Sequence, residues 1–214
     1  MQLLNKSAVK KTFTYTWYVY PVLVGLLTLI WIWGFQAFHQ PSSHQKLTLF
    51  FAAEIKKSSF TTDIQKAHYS REKLRQVEAY CSLPTAVGYY SKLSIYLNSS
   101  DMLILDQKTI DEFKNYQDKF FVEMTDSFIT EYSLSSYEFY TYTDSQNVEH
   151  KYGIKIKGKD QSHYLDDYMV FDDGYDYFVT LSTSSKNLGS LSGEANKYYD
   201  NAITYMKYLL ELNQ

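Results

Sequence analysis

Positions 17–38 form one long uncharged, apolar run, and between Lys11 and Lys46 the only ionisable acid–base side chains of the Asp, Glu, Lys, Arg or His type are two histidines. Twenty-two helical residues rise about 33 Å, enough to cross the hydrocarbon core of a bilayer. The pattern therefore predicts a single transmembrane helix over 17–38. Trp17, Tyr18 and Tyr20 mark one end of the run and Trp31 and Trp33 lie near the other, as suits rings that prefer the headgroup interfaces. Pro21 falls in the first turns, where a missing amide costs little.

Beyond a short linker at 39–45, the apolar spacing changes from element to element. Residues 46–55 are almost continuously apolar, which predicts a strand buried on both faces. A helix is expected over 58–69. Residues 74–83 alternate, with Val77, Ala79, Cys81 and Leu83 on one face, as in a strand with one wetter side. Pro84 ends that strand, and Thr85 is placed to cap a helix reaching Asn98, with Ala86, Tyr90, Leu93 and Leu97 on its apolar stripe. Met102 to Leu105 form a short apolar strand between two aspartates. Thr109 and Glu112 have capping-box spacing for a helix that would bury Phe113, Phe120, Met124 and Phe128.

The order β-α-β-α-β-α over 46–130 implies a parallel sheet with right-handed crossovers. Short strands are expected after it, over 137–143, 152–157, 168–171 and 176–183, separated by Gly, Asn and Asp turns. In the second of these, Lys155 and Lys157 alternate with isoleucines, as on a protected edge strand. A closing helix over 194–212 carries Ala195, Tyr199, Ala202, Met206 and Leu209 on one stripe. The fold class is thus α/β: an N-terminal transmembrane helix, then a three-layer lobe with a mixed sheet and Phe50, Ile55, Val77, Leu103, Ile104 and Leu105 in its core.

Charge sets the orientation. Lys6, Lys10 and Lys11 precede the apolar run and no acid does, which places residues 1–16 in the cytoplasm and the domain at 46–214 outside the cell membrane. The residues after the run offer no small-x-small cleavage site, so the helix is expected to remain as an anchor. All 24 acidic residues but only 18 of the 21 lysines and arginines lie beyond it, a net charge of −6. Such a domain is a poor partner for nucleic acid and for anionic lipid surfaces. A single cysteine, Cys81, excludes an internal disulfide and reads as a small buried hydrophobe. The 22 tyrosines, clustered at Tyr89-Tyr90, Tyr137/Tyr140/Tyr142 and Tyr198-Tyr199, read mainly as packed rings with solvated hydroxyls; a sugar or peptide groove is the alternative.

Candidate chemistry is sparse. The chain has no nucleophile elbow, phosphate-binding loop, zincin motif or Cys/His metal pattern, so it is read as a non-enzyme without cofactors or metal. His163 with Asp166 and Asp167 has the residue types of a metal site but reads better as a solvated acidic loop. Asp172-Asp173-Gly174-Tyr175-Asp176 lacks the full calcium-loop pattern and reads as a hairpin turn. Asn98-Ser99-Ser100 matches a glycosylation sequon, a short pattern that arises often by chance.

The stretch KLTLFFAAEI (46–55), then VEAYCSLPT, then YYSKLSIYLNSSD, then MLILDQKTIDEF resembles the first lobe of bacterial extracellular solute-binding proteins, which feed ABC importers. Tyr89, Tyr90, Lys92 and Leu93 sit where that family has a "dYytKL" helix. Ser99, Ser100 and Asp101 match its "sGdaPDv" turn, with Ser for Gly and no Pro. Lys151 to Ile154 looks like its "YGIP" strand, with Lys155 for Pro. YFVTLSTSSKN and the helix ending KYLLEL resemble its closing segment. Complete members have two lobes and about twice this length, and their ligand sits between the lobes, whereas residues 130–151 leave no room for a second lobe. The resemblance therefore implies a truncated, membrane-anchored, single-lobe member.

Two functions follow as expectations. One is an accessory or interaction subunit of a membrane transporter complex, held beside its partner by the anchor. The other is a sensor or carrier for a sugar or peptide, with a reduced pocket at the C-terminal edge of the parallel strands near Thr85, Tyr89, Tyr90, Asp106 and Gln107. A membrane-anchored hydrolase is a remote third, for want of a nucleophile–base pattern.

Overall fold

The computed structural model describes residues 17, 19–60, 62–63, 74–114, 116–189 and 200–212. The chain divides into two compact units, residues 1–40 and 41–214. The first contains helix α1, Val19–His39, of which Val19–Phe38 is long and apolar enough to cross a membrane. Its apolar side chains are exposed, and Gly25 and Gly34 have nothing within 4 Å of where a Cβ would stand. The lysines of the expected cytoplasmic flank lie outside the described residues.

The second unit is a mixed α/β domain built on a six-stranded sheet. In chain order its elements are β1 (Lys46–Phe51), β2 (Glu54–Ile55), β3 (Gln76–Cys81), α2 (Tyr89–Leu97), β4 (Met102–Asp106), α3 (Gln107–Glu112), α4 (Gln117–Phe120), α5 (Asp126–Glu131), β5 (Phe139–Thr143), β6 (Glu149–Lys157), β7 (Met169–Val170), β8 (Tyr177–Leu181) and α6 (Asn201–Glu211). The main sheet runs β3-β1-β4-β8-β6-β5. β1 lies parallel to both β3 and β4, and from β4 outward every pairing is antiparallel. β2 and β7 form a separate two-stranded antiparallel ladder.

Successive strand residues point to opposite faces. All five residues of β4 and all five of β8 are buried, so the sheet is covered on both sides at its centre. On one side Phe50 packs against Tyr89 and Tyr96 of α2. On the other, Phe51 meets Phe60 edge-on, and Phe60 meets Tyr168. The stripe of α6 is buried at Ala202, Met206 and Leu209, as its spacing predicts, together with Ile203, Tyr205 and Leu210; Ala195 and Tyr199 lie outside the described residues, as does most of the expected helix over 58–69.

Several elements differ from the expectations. The apolar run 46–55 is not one strand: it breaks at Ala52-Ala53, and Ile55 leaves the core for a position 49% exposed. The helix expected from Thr85 starts instead at Tyr89, because Gly88 holds a left-handed φ of +82°, a conformation glycine adopts without a Cβ penalty. Its stripe is accordingly Tyr89, Leu93 and Leu97, and Ala86 and Tyr90 face solvent. Thr109 and Glu112 do not form a capping box. Asp106 caps α3 by accepting the Thr109 amide, and the expected long helix is three short ones. Between the second and third, the chain runs extended to pair with β8, where Phe121 bridges Ser182 and the Val122 amide donates to Leu181.

β6 is not an edge strand. It lies between β5 and β8, so its lysines are not edge protection. Lys155 pairs with Glu138 and Asp176. Lys157 is buried, its ammonium lying 3.5 Å from Asp166 and 3.7 Å from Asp173. The edge strands are β3 and β5.

Candidate functional site

In an open α/β sheet, the crevice beyond the carboxyl ends of parallel strands is the natural place for a ligand. β1 and β3 run in register from Lys46↔Gln76 to Phe51↔Cys81, and where they stop there is an open cleft of ≈ 420 Å³. Ala53, Glu54 and Ile55 form one wall as the chain leaves β1. Cys81, Ser82 and Leu83 form the floor as it leaves β3. Ala86 and Lys92 close the third side. The wall is rigidified by the β2–β7 ladder, in which Glu54 opposes Val170 and Ile55 opposes Met169.

The lining is mostly apolar, with three polar groups set apart. Glu54 and Lys92 are exposed and of opposite charge. Ser82 is 6% exposed, and its hydroxyl has no hydrogen-bond partner among the described residues. An unspent buried hydroxyl is uncommon and costs stability. Lys92 follows the first turn of α2, whose N-cap, Gly88, contributes no side-chain cap; first-turn amides without caps carry partial positive charge. Burial pushes the Cys81 thiol up to about 12, so it stays protonated at neutral pH and is no nucleophile.

The residues expected to form a pocket are divided. Tyr89, Tyr90 and Asp106 come together, but in a cluster that ties α2 to α3. Asp106 is 1% exposed; its carboxylate accepts the Thr109 amide at 2.9 Å and the Thr109 hydroxyl at 2.6 Å. With the Thr109 hydrogen given to Asp106, the Tyr89 hydroxyl donates to Thr109 Oγ1 at 3.2 Å. Tyr90 donates to Glu112 at 2.8 Å, and burial together with that carboxylate pushes its phenol up to about 12. Thr85 is exposed in the loop before α2, one residue from cleft-lining Ala86, and Gln107 is exposed with its amide donated to the Asp176 carbonyl. The cleft thus sits at the expected edge, displaced from β4 to β1 and β3. Ser82, Glu54 and Lys92 are not among the pocket residues expected from the sequence. The available signal was a polar residue at the end of each apolar strand, Glu54 after FFAA and Ser82 just before Leu83-Pro84.

The opposite edge has a polar hollow of ≈ 300 Å³ lined by Ser43, Ser99, Ser100 and Lys186 among others. Its centre is a brace. Asp101 is 8% exposed and accepts from the Thr48 amide at 2.8 Å, the Ser185 hydroxyl at 2.6 Å and the Asn187 side-chain amide at 2.9 Å. Burial outweighs these bonds and raises its pKa above the ordinary carboxylate value. The turn at Asp172 to Asp176, expected to close a hairpin, instead links β7 to β8 in different sheets; within it Gly174 donates to the Asp172 carboxylate at 3.0 Å. No cluster of three or more metal-ligating side chains occurs among the described residues.

Comparison with protein-family models, with curated proteins and with solved structures returns no match for this chain.

Proposed function

We propose that this chain is a membrane-anchored, extracytoplasmic, solute-binding-like module that serves as an accessory subunit of a membrane transporter complex. In this reading residues 17–38 hold it in the bilayer with the N-terminus in the cytoplasm, and its open cleft receives a protein partner. The observation that carries the reading is the cleft's shape and rim. It is a one-sided hollow on a single domain, lined by Ile55, which is 49% exposed; two more exposed apolar residues neighbour its lining, Val170 at 47%, paired with Glu54, and Val87, next after Ala86 and fully out in solvent. A small solute bound there would keep much of its surface in water, whereas small-molecule sites usually bury most of theirs. A protein segment laid across the cleft would cover the rim and the floor together.

Purification of the full-length chain from its native membranes in mild detergent tests this. The expected result is coelution with transporter subunits, weakened at least tenfold by Ile55→Glu, which puts a charge on the rim. Elution as a lone monomer would count against the partner. The small-ligand reading rests on the unspent Ser82 hydroxyl with Glu54 and Lys92 beside it. Calorimetry showing micromolar binding of a sugar or peptide to the full-length chain, abolished by Leu83→Arg, would favour that reading instead.

A further inference from the structure

One wall of the cleft depends on a buried histidine some distance from it. His163 is 5% exposed and stands at the N-cap of the 3-10 turn Tyr164–Asp167. Its Nδ1 accepts the Leu165 amide at 3.0 Å. A ring nitrogen that accepts carries no hydrogen, so the neutral ring holds its hydrogen on Nε2. That Nε2 is buried and has no partner among the described residues. In return the His163 amide donates to Asp166 Oδ2 at 2.7 Å, closing a reciprocal cap.

The capped turn leads directly into the cleft wall. The Tyr168 carbonyl accepts the amides of Lys56 and Lys57, at 2.8 and 3.0 Å, and the Lys56 ammonium donates to the Asp166 carbonyl at 3.2 Å. The next two residues are β7, which pairs with Glu54 and Ile55. The ladder itself is only two residues long, and the segment that carries it is seated by the buried Leu165, Met169 and Phe171; these bonds join the capped turn to the wall, so the two move as one arm.

We propose that protonation of His163 releases this arm, so that acid takes away one wall of the cleft and ends its occupancy. The proton must enter at Nδ1, where it displaces the Leu165 amide and turns an acceptor into a donor with nothing to receive it. The charged groups facing the ring are Asp166 on its own turn, which favours the imidazolium, and Lys157 on β6, which opposes it. Asp173 and Lys56 act more remotely, through Lys157 and Asp166 respectively. Burial is the largest influence and holds the ring near pKa 4 against an ordinary 6.5. A ring freed by opening recovers the ordinary value, so the open fraction rises about tenfold for each pH unit lost between 6.5 and 4.

The inference rests on the cleft's proposed role only for its consequence; the opening itself is measured without any partner. Hydrogen exchange read by mass spectrometry on the full-length chain in detergent, corrected for intrinsic rates, follows residues 54–57 and 165–170 against 102–106. From pH 7 to pH 4.5 the wild type is expected to lose protection in the first two segments while 102–106 keeps it. His163→Asn, whose side-chain oxygen accepts the Leu165 amide without titrating, is expected to hold protection in all three. Equal loss in wild type and variant, or loss spread over 102–106, overturns the proposal. Should the variant fail to fold, the NMR titration of the His163 ring in the wild type decides: a pKa at or above 6.5 overturns the proposal, and one well below it supports it. A missing partner, by contrast, changes none of these readouts and bears only on the role of the cleft.

Discussion

Asp106 shows how one side chain can be given to the fold. Its two oxygens satisfy the amide and the hydroxyl of Thr109, and removing it strands the buried amide and leaves the hydroxyl only Tyr89 as a partner. Asp106→Ala should lower stability by about 1–3 kcal/mol, read from urea denaturation of the detergent-solubilised chain; an unchanged midpoint would show that the cap carries no weight. His163 adds a dependence on pH. Its folded pKa is depressed to about 4 while the unfolded ring titrates at 6.5. Below 6.5 the unfolded state therefore binds the extra proton. The neutral ring's contribution is complete above 6.5 and is lost as pH falls toward 4. A melting-temperature profile over this range should slope downward for the wild type and less steeply for His163→Asn.

Element boundaries turn on backbone geometry that periodicity does not carry. In β6, Gly153 lies against β8: an added Cβ would stand 3.1 Å from Thr180 Cγ2 and 3.2 Å from Phe178 Cβ. Those neighbours would have to give by a few tenths of an ångström inside a packed sheet, so Gly153→Val should cost about 1–3 kcal/mol, seen as a lower midpoint in the same denaturation assay. Nothing crowds the equivalent position at Gly88, where the limit is the positive φ alone. The alternation of Lys155 and Lys157 with isoleucines was legible; its meaning was not, because a paired interior strand and a protected edge share the same pattern. What separates them is the neighbour on each side, and here acids from distant loops, Asp166 and Asp173 after β6 and Glu138 before it, neutralise both lysines.

For the whole molecule, the sheet's centre decides stability. Leu103 is fully buried between β1 and β8. Leu103→Asp should cost about 3–5 kcal/mol as an unpaired buried charge, and a variant that melts with the parent would be incompatible with this strand pairing. The proposed orientation has its own check. Protease added to intact cells should digest the domain and spare an N-terminal tag; a protected C-terminus would reverse the topology.

Local pattern was sufficient for whatever depends on residues near one another in the chain. It determined that one helix is apolar enough to span a bilayer, that the domain is α/β, and that Phe50, Val77, Leu103, Ile104, Leu105, Ala202, Met206 and Leu209 belong to the core or pack closely around it. Burial follows from hydrophobic spacing, and spacing is written in sequence order. Tertiary structure alone decided the rest. It set β8 antiparallel to β4 across more than 70 residues, sent Glu54-Ile55 to pair with Met169-Val170, and put the cleft at the ends of β1 and β3. These are pairings between residues far apart in the chain, and their partners are selected by the hydrogen bonds and packing of the assembled sheet, for which no local spacing rule exists.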